Sequence, residues 1–526
     1  MRSLKLHALL LLAAALIAAT SGSPGPFGRN TDRSPVLAPP PTVQNGPPPV
    51  DALASRSEDE AVALALTVAP SSRAASLAFY RDYYLILSPP DIAWTGNRAT
   101  CDPGTTAADF RDKVLQRINY FRGMAGVPEV TFDPTYSAPA QAAALMMSVN
   151  HQLNHFPPSD WLCYSVGGAQ AAQSSNLAYG AMGWDAISLY MDDPGLSSVG
   201  HRRWLLYPQT QTMGTGDQPS GVATNVLWVF GQLWGARPPT REPYVAWPPP
   251  GYVPYNVAFS LWSFSYPNAD FSSATVTMSK AGFPVPVVLE VPVYGYGEAT
   301  LVWTPGGGAL GAPPTQGTTY DVAVNNVRIG SAVVNFNYQV TLFSPAPTFV
   351  DVPFDNMFFS SVELIHGRGI TAGCDATHYC PDLPVTRAQM AVFLEKGMRN
   401  AAFSPHPAVG LFADVAASHW AAAWIEQLYA DGITAGCGSN TYCPDSPVTR
   451  AQMAVFLLKS KHGSAYSPPG ASGLFADVPP NHWAASWIEQ LAAEDITAGC
   501  GGGDYCPDSP VTRGQMAAFL SKTFGY

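Results

Sequence analysis

Cysteine is the residue whose number and spacing in this chain indicate chemistry most directly. Eight cysteines are present among 526 residues, in one distant pair and three close pairs of the form Cys-x5-Cys. The pairs are Cys101 with Cys163, Cys374 with Cys380, Cys437 with Cys443, and Cys500 with Cys506. Such cysteines form disulfides in an oxidising compartment, or they ligate zinc. The spacing is not the usual tight one of zinc ligands, and no histidine recurs beside all three close pairs, which favours disulfides.

The first residues of the chain indicate which compartment it reaches. Arg2 and Lys5 form a short basic region, residues 8–19 are apolar, and small residues follow at Thr20–Ser23. This order is typical of a secretory signal peptide, which we place at residues 1–22. A retained membrane anchor is the alternative, but a span needs about 20 apolar residues, and no later run is long enough. We therefore expect a secreted protein with no transmembrane helix in the mature chain.

Composition narrows the classes of partner. Charged residues make up 12% of the chain and hydrophobic residues 47%, and the formal net charge is −11. The apolar fraction excludes disorder throughout, and an acidic balance without any Lys/Arg cluster excludes nucleic acid as a partner. Length alone predicts several domains, at roughly 100–200 residues each. We interpret residues 23–75 as a linker or leader, because residues 24–58 are dominated by Pro, Gly, Ser and small polar residues and such a segment cannot pack.

Two different patterns follow this leader. From about residue 107, apolar residues recur at three- and four-residue steps, and further helices are predicted near 138–149 and 184–191. We therefore assign residues 76–245 to a helical domain with short strands and an N-terminal extension. Residues 246–345 instead alternate apolar and polar residues between Gly, Pro and Asn turns, which predicts a small immunoglobulin-like β-sandwich.

The C-terminal third of the chain is an internal repeat, with copies at residues 349–400, 411–462 and 474–526. Each copy is too small to bury its apolar face alone, so we expect the copies to share one core. Every copy places a Thr-x-x-Gln capping box before an apolar helix, and the threonines are Thr386, Thr449 and Thr512. The predicted unit is a helix, a disulfide-pinched loop and a second helix.

The order of motifs in the copies resembles S-layer homology (SLH) repeats. The matching motifs are Asp-Val, His-Trp-Ala, Gly-Ile-Thr-x-Gly, Pro-Asp and Thr-Arg-Ala-Gln. The resemblance implies attachment to cell-envelope polysaccharide, often an anionic, pyruvate-modified polymer. Three arginines that follow helix N-caps are expected to bind its anionic groups: Arg387, Arg450 and Arg513. Alternatively, each arginine pairs with a nearby loop aspartate: Asp382, Asp445 or Asp508.

The tryptophans of the repeats are predicted to be core residues rather than a ligand platform. They are Trp420, Trp424, Trp483 and Trp487, and their spacing is that of a buried helix stripe. The first copy departs from this pattern, because Met357 and Ser361 stand at its two tryptophan positions.

Residues of about 107–216 resemble a CAP (cysteine-rich secretory, SCP-like) domain. The resemblance rests on Ile118–Arg122, Leu153–His155, Asn176–Gly180 and Gly200–Leu206, in this order. It implies an α–β–α sandwich with a shallow cleft, in which two histidines and two carboxylates can bind zinc.

By motif, the histidines of the cleft are His155 and His201. Ser175 stands where the family has its first carboxylate, and Asp192 or Asp193 supplies the second. Imidazoles and a carboxylate on facing elements are suitable ligands of a first-row metal. The alternative is that both histidines only orient the loops of the cleft by hydrogen bonds.

The resulting hypothesis is a cell-surface protein that displays a CAP domain and is anchored to envelope polysaccharide by its repeats. Its activity would be ligand binding or adhesion, with a CAP ligand that the sequence does not name. The rival is a metal-assisted hydrolase that uses His155, His201 and Asp192 or Asp193 and that the repeats localise. A third possibility is a freely secreted protein in which the repeats are structural.

Overall fold

The computed structural model describes residues 35–42, 68, 70–219, 223–233, 235–306, 310, 313, 317–400 and 402–525. The predicted signal peptide at residues 1–22 lies outside these ranges. The described residues form an α/β region, a β-rich region and a helical region, in the predicted order. None of their helices is both long and apolar enough to cross a membrane.

A five-stranded sheet lies in the α/β region. Its strands are β1 (Val36–Leu37), β2 (Thr131–Phe132), β3 (Ser175–Tyr179), β4 (Thr212–Gln218) and β5 (Thr224–Trp228), in the spatial order β1-β3-β5-β4-β2. The helices are α1 (Arg73–Phe79), α2 (Ala108–Ala125), α3 (Pro134–Asn150), α4 (Val166–Gln173), α5 (Gly183–Asp192) and α6 (Gly200–Leu205). Successive residues of a strand face opposite sides. Val226 packs in the core of α3 and α4 and Leu227 in that of α2 and α5, so helices cover both faces.

Local sequence explains where these helices begin and end. Phe110, Val114 and Ile118 lie on one buried side of α2, as their spacing predicts, and the helix ends at Gly126 with a φ of 75°. The Asp133 side chain caps α3 by accepting a hydrogen bond from the Thr135 amide at 2.7 Å. These residues fix the end of α2 and the start of α3.

Two parts of the predicted leader pack against the rest of the molecule. Helix α1 crosses the predicted boundary at residue 75 and continues into a π-helical turn at Tyr80–Tyr84. The prediction that the leader cannot pack is wrong for residues 35–42, since Ala38, Pro40 and Pro41 are buried. The composition argument fails there because a groove of the α/β region supplies the apolar partners that the segment itself lacks.

The β-rich region consists of two sheets. Its strands are β6 (Val245–Trp247), β7 (Gly251–Pro254), β8 (Trp262–Ser265), β9 (Ala269–Asp270), β10 (Thr275–Lys280), β11 (Phe283–Val285), β12 (Val287–Leu289), β13 (Thr300–Pro305), β14 (Thr318–Ile329) and β15 (Ala332–Phe343), with a 3-10 turn at Tyr255–Val257. One sheet has the order β11-β10-β14-β15-β7, with β9 beside β14, and the other has the order β12-β13-β8-β6. Trp262 and Tyr320, 6.2 Å apart, join the sheets. An immunoglobulin-like identity stays a prediction.

The three repeats form one closed unit. Their helices are α7 (Phe359–Gly367), α8 (Arg387–Met398), α9 (Ala422–Ala430), α10 (Arg450–His462), α11 (Ala485–Ala493) and α12 (Arg513–Phe524), and they share one core as predicted. The amide of Val385 donates to Val511, that of Val511 to Val448, and that of Val448 to Val385, each at 2.9 Å. This ring of backbone hydrogen bonds connects every repeat to the other two.

The disulfide prediction is confirmed. All four predicted pairs are bonded, and the described chain contains no free cysteine. Within the described residues, one group of three side chains lies close enough to share a metal ion, namely Asp414, Cys437 and Cys443. Both of its sulfurs belong to a disulfide, so they cannot act as the thiolates that zinc requires.

Candidate functional site

Each of the three repeat arginines begins a helix at a junction between two repeats. The capping boxes are present, and the threonine side chain accepts from the amide of the third helical residue in each of them. This cap fixes the arginine as the first residue of its helix, close to the positive end of the helix dipole. The arginines are nevertheless buried, because Arg387, Arg450 and Arg513 are only 4–5% exposed.

The guanidinium groups cross the junctions in a cycle. The Nε atoms of Arg387, Arg450 and Arg513 donate to tyrosine carbonyls at 2.7–2.8 Å, and the acceptors are Tyr442, Tyr505 and Tyr379 respectively. Each guanidinium also lies 4.6–4.8 Å from the ring centre of the same tyrosine. The tyrosine hydroxyl donates back to the arginine carbonyl at 2.8–2.9 Å. Each arginine therefore helps to hold its repeat against the next.

The aspartates that interact with these arginines are not the loop aspartates of the alternative prediction. The structure gives no ion pair between the arginines and Asp382, Asp445 or Asp508 among the described residues. The electrostatic partners are instead the aspartates that open each repeat: Asp351, Asp414 and Asp477. Each of these carboxylates accepts two backbone amides of the cysteine loop, for example those of Tyr442 and Cys443 at 2.8 and 2.7 Å. The tyrosines and these aspartates recur at the same interval as the arginines, which is the signal that would have identified them.

The outer nitrogens of the guanidinium groups differ between the junctions. Nη2 of Arg387 donates to the carbonyl of Gly436 at 3.1 Å. Nη2 of Arg450 and Nη2 of Arg513 are buried and have no hydrogen-bond partner among the described residues. Burial lowers the pKa of all three guanidinium groups, but arginine stays cationic in proteins. Two junctions therefore contain a cationic donor that an anionic oxygen could satisfy.

The tryptophan prediction is right for one pair and wrong for the other. Trp424 and Trp487 pack at the edge of the shared core. Trp420 and Trp483 are each 62% exposed. The buried-stripe argument fails for them because helices α9 and α11 begin at Ala422 and Ala485, after these tryptophans. Repeats 2 and 3 therefore each expose one tryptophan, on which a sugar ring could stack.

In the α/β region, His201 and Asp193 form a fully buried pair. Nδ1 of His201 lies 2.7 Å from Oδ1 of Asp193, and the His201 amide donates to Oδ2 at 2.9 Å. Neither side chain is exposed, and Nε2 of His201 has no hydrogen-bond partner among the described residues. A carboxylate that accepts from Nδ1–H leaves Nε2 as the acceptor nitrogen. Nε2 of His201 can thus accept a hydrogen bond.

His155 is near enough to His201 for the two rings to interact electrostatically, but both of its own nitrogens are engaged. Nδ1 lies 2.5 Å from the carbonyl oxygen of Ala172 and Nε2 lies 2.6 Å from that of Pro39. Only the imidazolium form donates to both carbonyls. Burial lowers the pKa of His155, and the hydrogen bonds to Ala172 and Pro39 oppose that shift.

The described residues of the cleft do not fit a zinc ion. A zinc site requires at least three protein ligands, and His155 has no free nitrogen. Asp193 is committed to His201 and to backbone amides, and the charged neighbours of Asp192 are Arg202 and Asp193. Ser175 contributes a buried hydroxyl where the family has a carboxylate. Nε2 of His201 is the nitrogen that remains, so no chemistry through a metal is derived for this cleft.

Two family patterns match the chain. The pattern of the cysteine-rich secretory protein family, or CAP, matches residues 115–232, and that of the S-layer homology domain matches residues 411–454 and 474–517. The chain therefore contains a CAP domain and C-terminal SLH domains, and it is a cell-surface protein. The first repeat lies outside the matched ranges, although it completes the closed unit of helices.

Proteins of known name align with parts of the chain. An amylopullulanase of Thermoanaerobacterium thermosulfurigenes is 27% identical over 47% of this chain, and a cell surface protein of Thermoanaerobacter kivui is 33% identical over 22%. A cellulosome-anchoring protein of Acetivibrio thermocellus is 26% identical over 27% of the chain. These alignments cover 12%, 15% and 32% of the respective relatives, so the similarity concerns modules and not whole proteins.

Proposed function

We propose that this protein displays its CAP domain at the cell surface while the three repeats bind an anionic envelope polysaccharide without a covalent bond. On this proposal residues 349–400, 411–462 and 474–526 act as one binding unit, and residues 76–245 are the displayed domain. The CAP domain binds a ligand or mediates adhesion rather than catalysing a reaction. The cell-surface and anchoring relatives support the location from which the proposal starts.

The observation that carries the proposal is the pair of unsatisfied guanidinium nitrogens, Nη2 of Arg450 and Nη2 of Arg513. A buried donor without an acceptor costs free energy that a bound anion would recover. Each nitrogen belongs to a residue at the first turn of a helix of 12 or 13 residues, where the dipole also favours negative charge. The exposed Trp420 and Trp483 add a stacking surface for a sugar.

Cosedimentation of the full chain with purified envelope polysaccharide tests this proposal. The double substitution Arg450→Lys/Arg513→Lys keeps both positive charges but removes both unsatisfied nitrogens. Since a hydrogen bond to a charged group contributes about 1.5–3 kcal/mol, we expect at least a roughly tenfold loss of affinity. The wild type should bind polysaccharide from which the anionic groups have been removed as weakly as the double variant binds the intact polymer.

Arg387→Lys is the matched control, because Nη2 of Arg387 already has the carbonyl of Gly436 as its acceptor. It makes the same chemical change at the third junction, and we expect a smaller loss of affinity from it. The melting temperature of each variant must be measured, since all three arginines also join the repeats. Equal affinities for wild type and double variant, or no binding by the folded wild type, would contradict the proposal.

A further inference from the structure

The chain's own residues 35–42 lie along the edge of the CAP sheet. Strand β1 pairs antiparallel with β3, with Val36 opposite Tyr179 and Leu37 opposite Ala178, and the Ala38 amide donates to the Leu177 carbonyl at 3.3 Å. All five residues of β3 are buried, so without β1 this strand would be a sheet edge with unpaired backbone groups. Such an edge is a template for the addition of another strand.

Beyond this strand, the segment fits a groove shaped for proline. Ala38 is 6% exposed and belongs to a small core with Ala143 and Met147. Pro40 is buried against Gly200, where a Cβ atom on the glycine would lie 2.3 Å from Cγ of the proline. The absence of a side chain at residue 200 therefore creates the space that Pro40 fills.

Two side chains of the domain donate hydrogen bonds to the carbonyls of the proline run. Nε2 of His155 lies 2.6 Å from the carbonyl of Pro39, and Nε1 of Trp204 lies 2.7 Å from the carbonyl of Pro41. Proline has no amide hydrogen, so a proline run can be recognised only through its rings and its carbonyls. Aromatic grooves that bind polyproline segments use this combination, and the restricted backbone of proline lowers the entropic cost.

We propose that the CAP cleft is a peptide-binding groove for an extended segment of the form Leu-Ala-Pro-Pro-Pro. The chain's own residues 35–42 occupy this groove until a second proline-containing peptide displaces them. The inference rests on the proposed ligand-binding role of the CAP domain and names the class of its ligand. The β3 edge supplies the backbone pairing, Gly200 the seat for a ring, and His155 and Trp204 the carbonyl contacts. Displacement also takes the carbonyl of Pro39 away from His155, so the same exchange frees a nitrogen in the cleft.

The test is the binding of a fluorescent synthetic peptide with the sequence of residues 35–42 to the full chain, measured by anisotropy. In the wild type, a tethered segment competes at an effective concentration on the order of 1 mM, so the free peptide should bind weakly. Ala38→Arg places a charge in the buried site of Ala38 and should expel the tethered segment. We expect the peptide to bind this variant about 100-fold more tightly, at micromolar concentration.

Val36→Arg is the matched control, because it adds the same side chain to the same segment at a residue that is 52% exposed. It should behave like the wild type. A peptide with serine in place of Pro39, Pro40 and Pro41 should not bind to Ala38→Arg. Adding Gly200→Ala to Ala38→Arg should also abolish binding, whereas adding Gly470→Ala, whose Cβ would meet no atom within 4 Å, should not.

The inference is overturned if a folded Ala38→Arg chain does not bind the peptide, or if the wild type and Val36→Arg bind the peptide as tightly as Ala38→Arg does. It is also overturned if the serine peptide binds as well as the proline peptide. None of these outcomes depends on Gly200→Ala. The inference can therefore still be tested if that variant does not fold. None of the measurements involves polysaccharide, and cosedimentation of the same variants shows separately whether wall binding persists.

Discussion

Repeat 1 differs from repeats 2 and 3 in what packs against its first helix. Helix α1 of the N-terminal extension lies against α7, where Arg73 approaches Glu363 at 3.7 Å. Just after α1, Nε of Arg81 donates to the carbonyl of Phe354, which precedes α7, at 2.8 Å. In repeats 2 and 3 the corresponding helices pack instead through a tryptophan against an aromatic residue of the preceding loop. These pairs are Trp424 with Phe403 and Trp487 with Tyr466, each at 6.0 Å.

The substitutions that make repeat 1 divergent coincide with this contact. Phe359 and Gly367 stand where repeats 2 and 3 have alanines, and Ser361 stands where they have tryptophans. A Cβ atom on Gly367 would lie 2.4 Å from Cβ of Ala74, so the docked helix requires glycine at that position. The comparison teaches that the departures of one copy from its repeat pattern can mark the place where another part of the chain docks.

Truncating the residue specific to repeat 1 should have the largest effect. Phe359 is fully buried and its ring lies 5.0 Å from that of Phe354. Phe359→Ala should lower the free energy of unfolding by about 3–5 kcal/mol, because it leaves a cavity between α7 and its neighbours. Calorimetric melting of the full chain measures the effect. Ala422→Gly, at the equivalent position of repeat 2, should lower the free energy of unfolding by only about 1 kcal/mol. Equal losses for the two variants would contradict the proposed difference between repeats 1 and 2.

Converting Gly367 to the alanine of the other repeats should have an intermediate effect. Gly367→Ala should destabilise the packing of α1 on α7 by about 1–3 kcal/mol, although alanine is the better helix former. Faster hydrogen exchange of the α1 amides would report the loosened contact directly. The reverse change in repeat 2, Ala430→Gly, should leave exchange in α1 unchanged. A Gly367→Ala protein that is more stable than the wild type would show that the helices are not in close contact.

The smallest expected effect is a pH dependence specific to repeat 1. Glu395 stands where repeat 2 has Leu458, and burial, with a contribution from Asp431, raises its pKa to about 8 against the lowering by Arg399. The folded pKa exceeds the unfolded one, so stability falls as the pH rises from about 4.5 through 8. Relative to Glu395→Gln, the wild type should lose on the order of 1 kcal/mol between pH 5 and pH 9. Melting temperatures measured across that pH range check this prediction. If the melting temperatures of the two proteins change equally with pH, the prediction is wrong.

Features that recur in all three copies could be predicted from the sequence. Features that depend on a single tertiary contact could not. The capping boxes, the shared core and the disulfides follow from motifs that occur three times, because three copies exclude coincidence. The burial of Arg387 was missed because a helix N-cap fixes where a residue begins its helix and not what lies opposite it. The exposure of Trp420 was missed because the spacing argument assumed that this residue lies within the helix, which begins only at Ala422. The docking of residues 35–42 depends on a groove built by distant residues, and the composition of the segment carries no sign of it.

The ring of hydrogen bonds among Val385, Val448 and Val511 has a mechanical consequence. Because each valine donates to one neighbour and accepts from the other, no repeat is terminal at the centre of the unit. A pull on the rest of the chain enters at repeat 1 and is shared at once by the hydrogen bonds of Val385 to Val448 and Val511. The anchor should therefore resist load as one body and yield in a single event, instead of losing its repeats one after another.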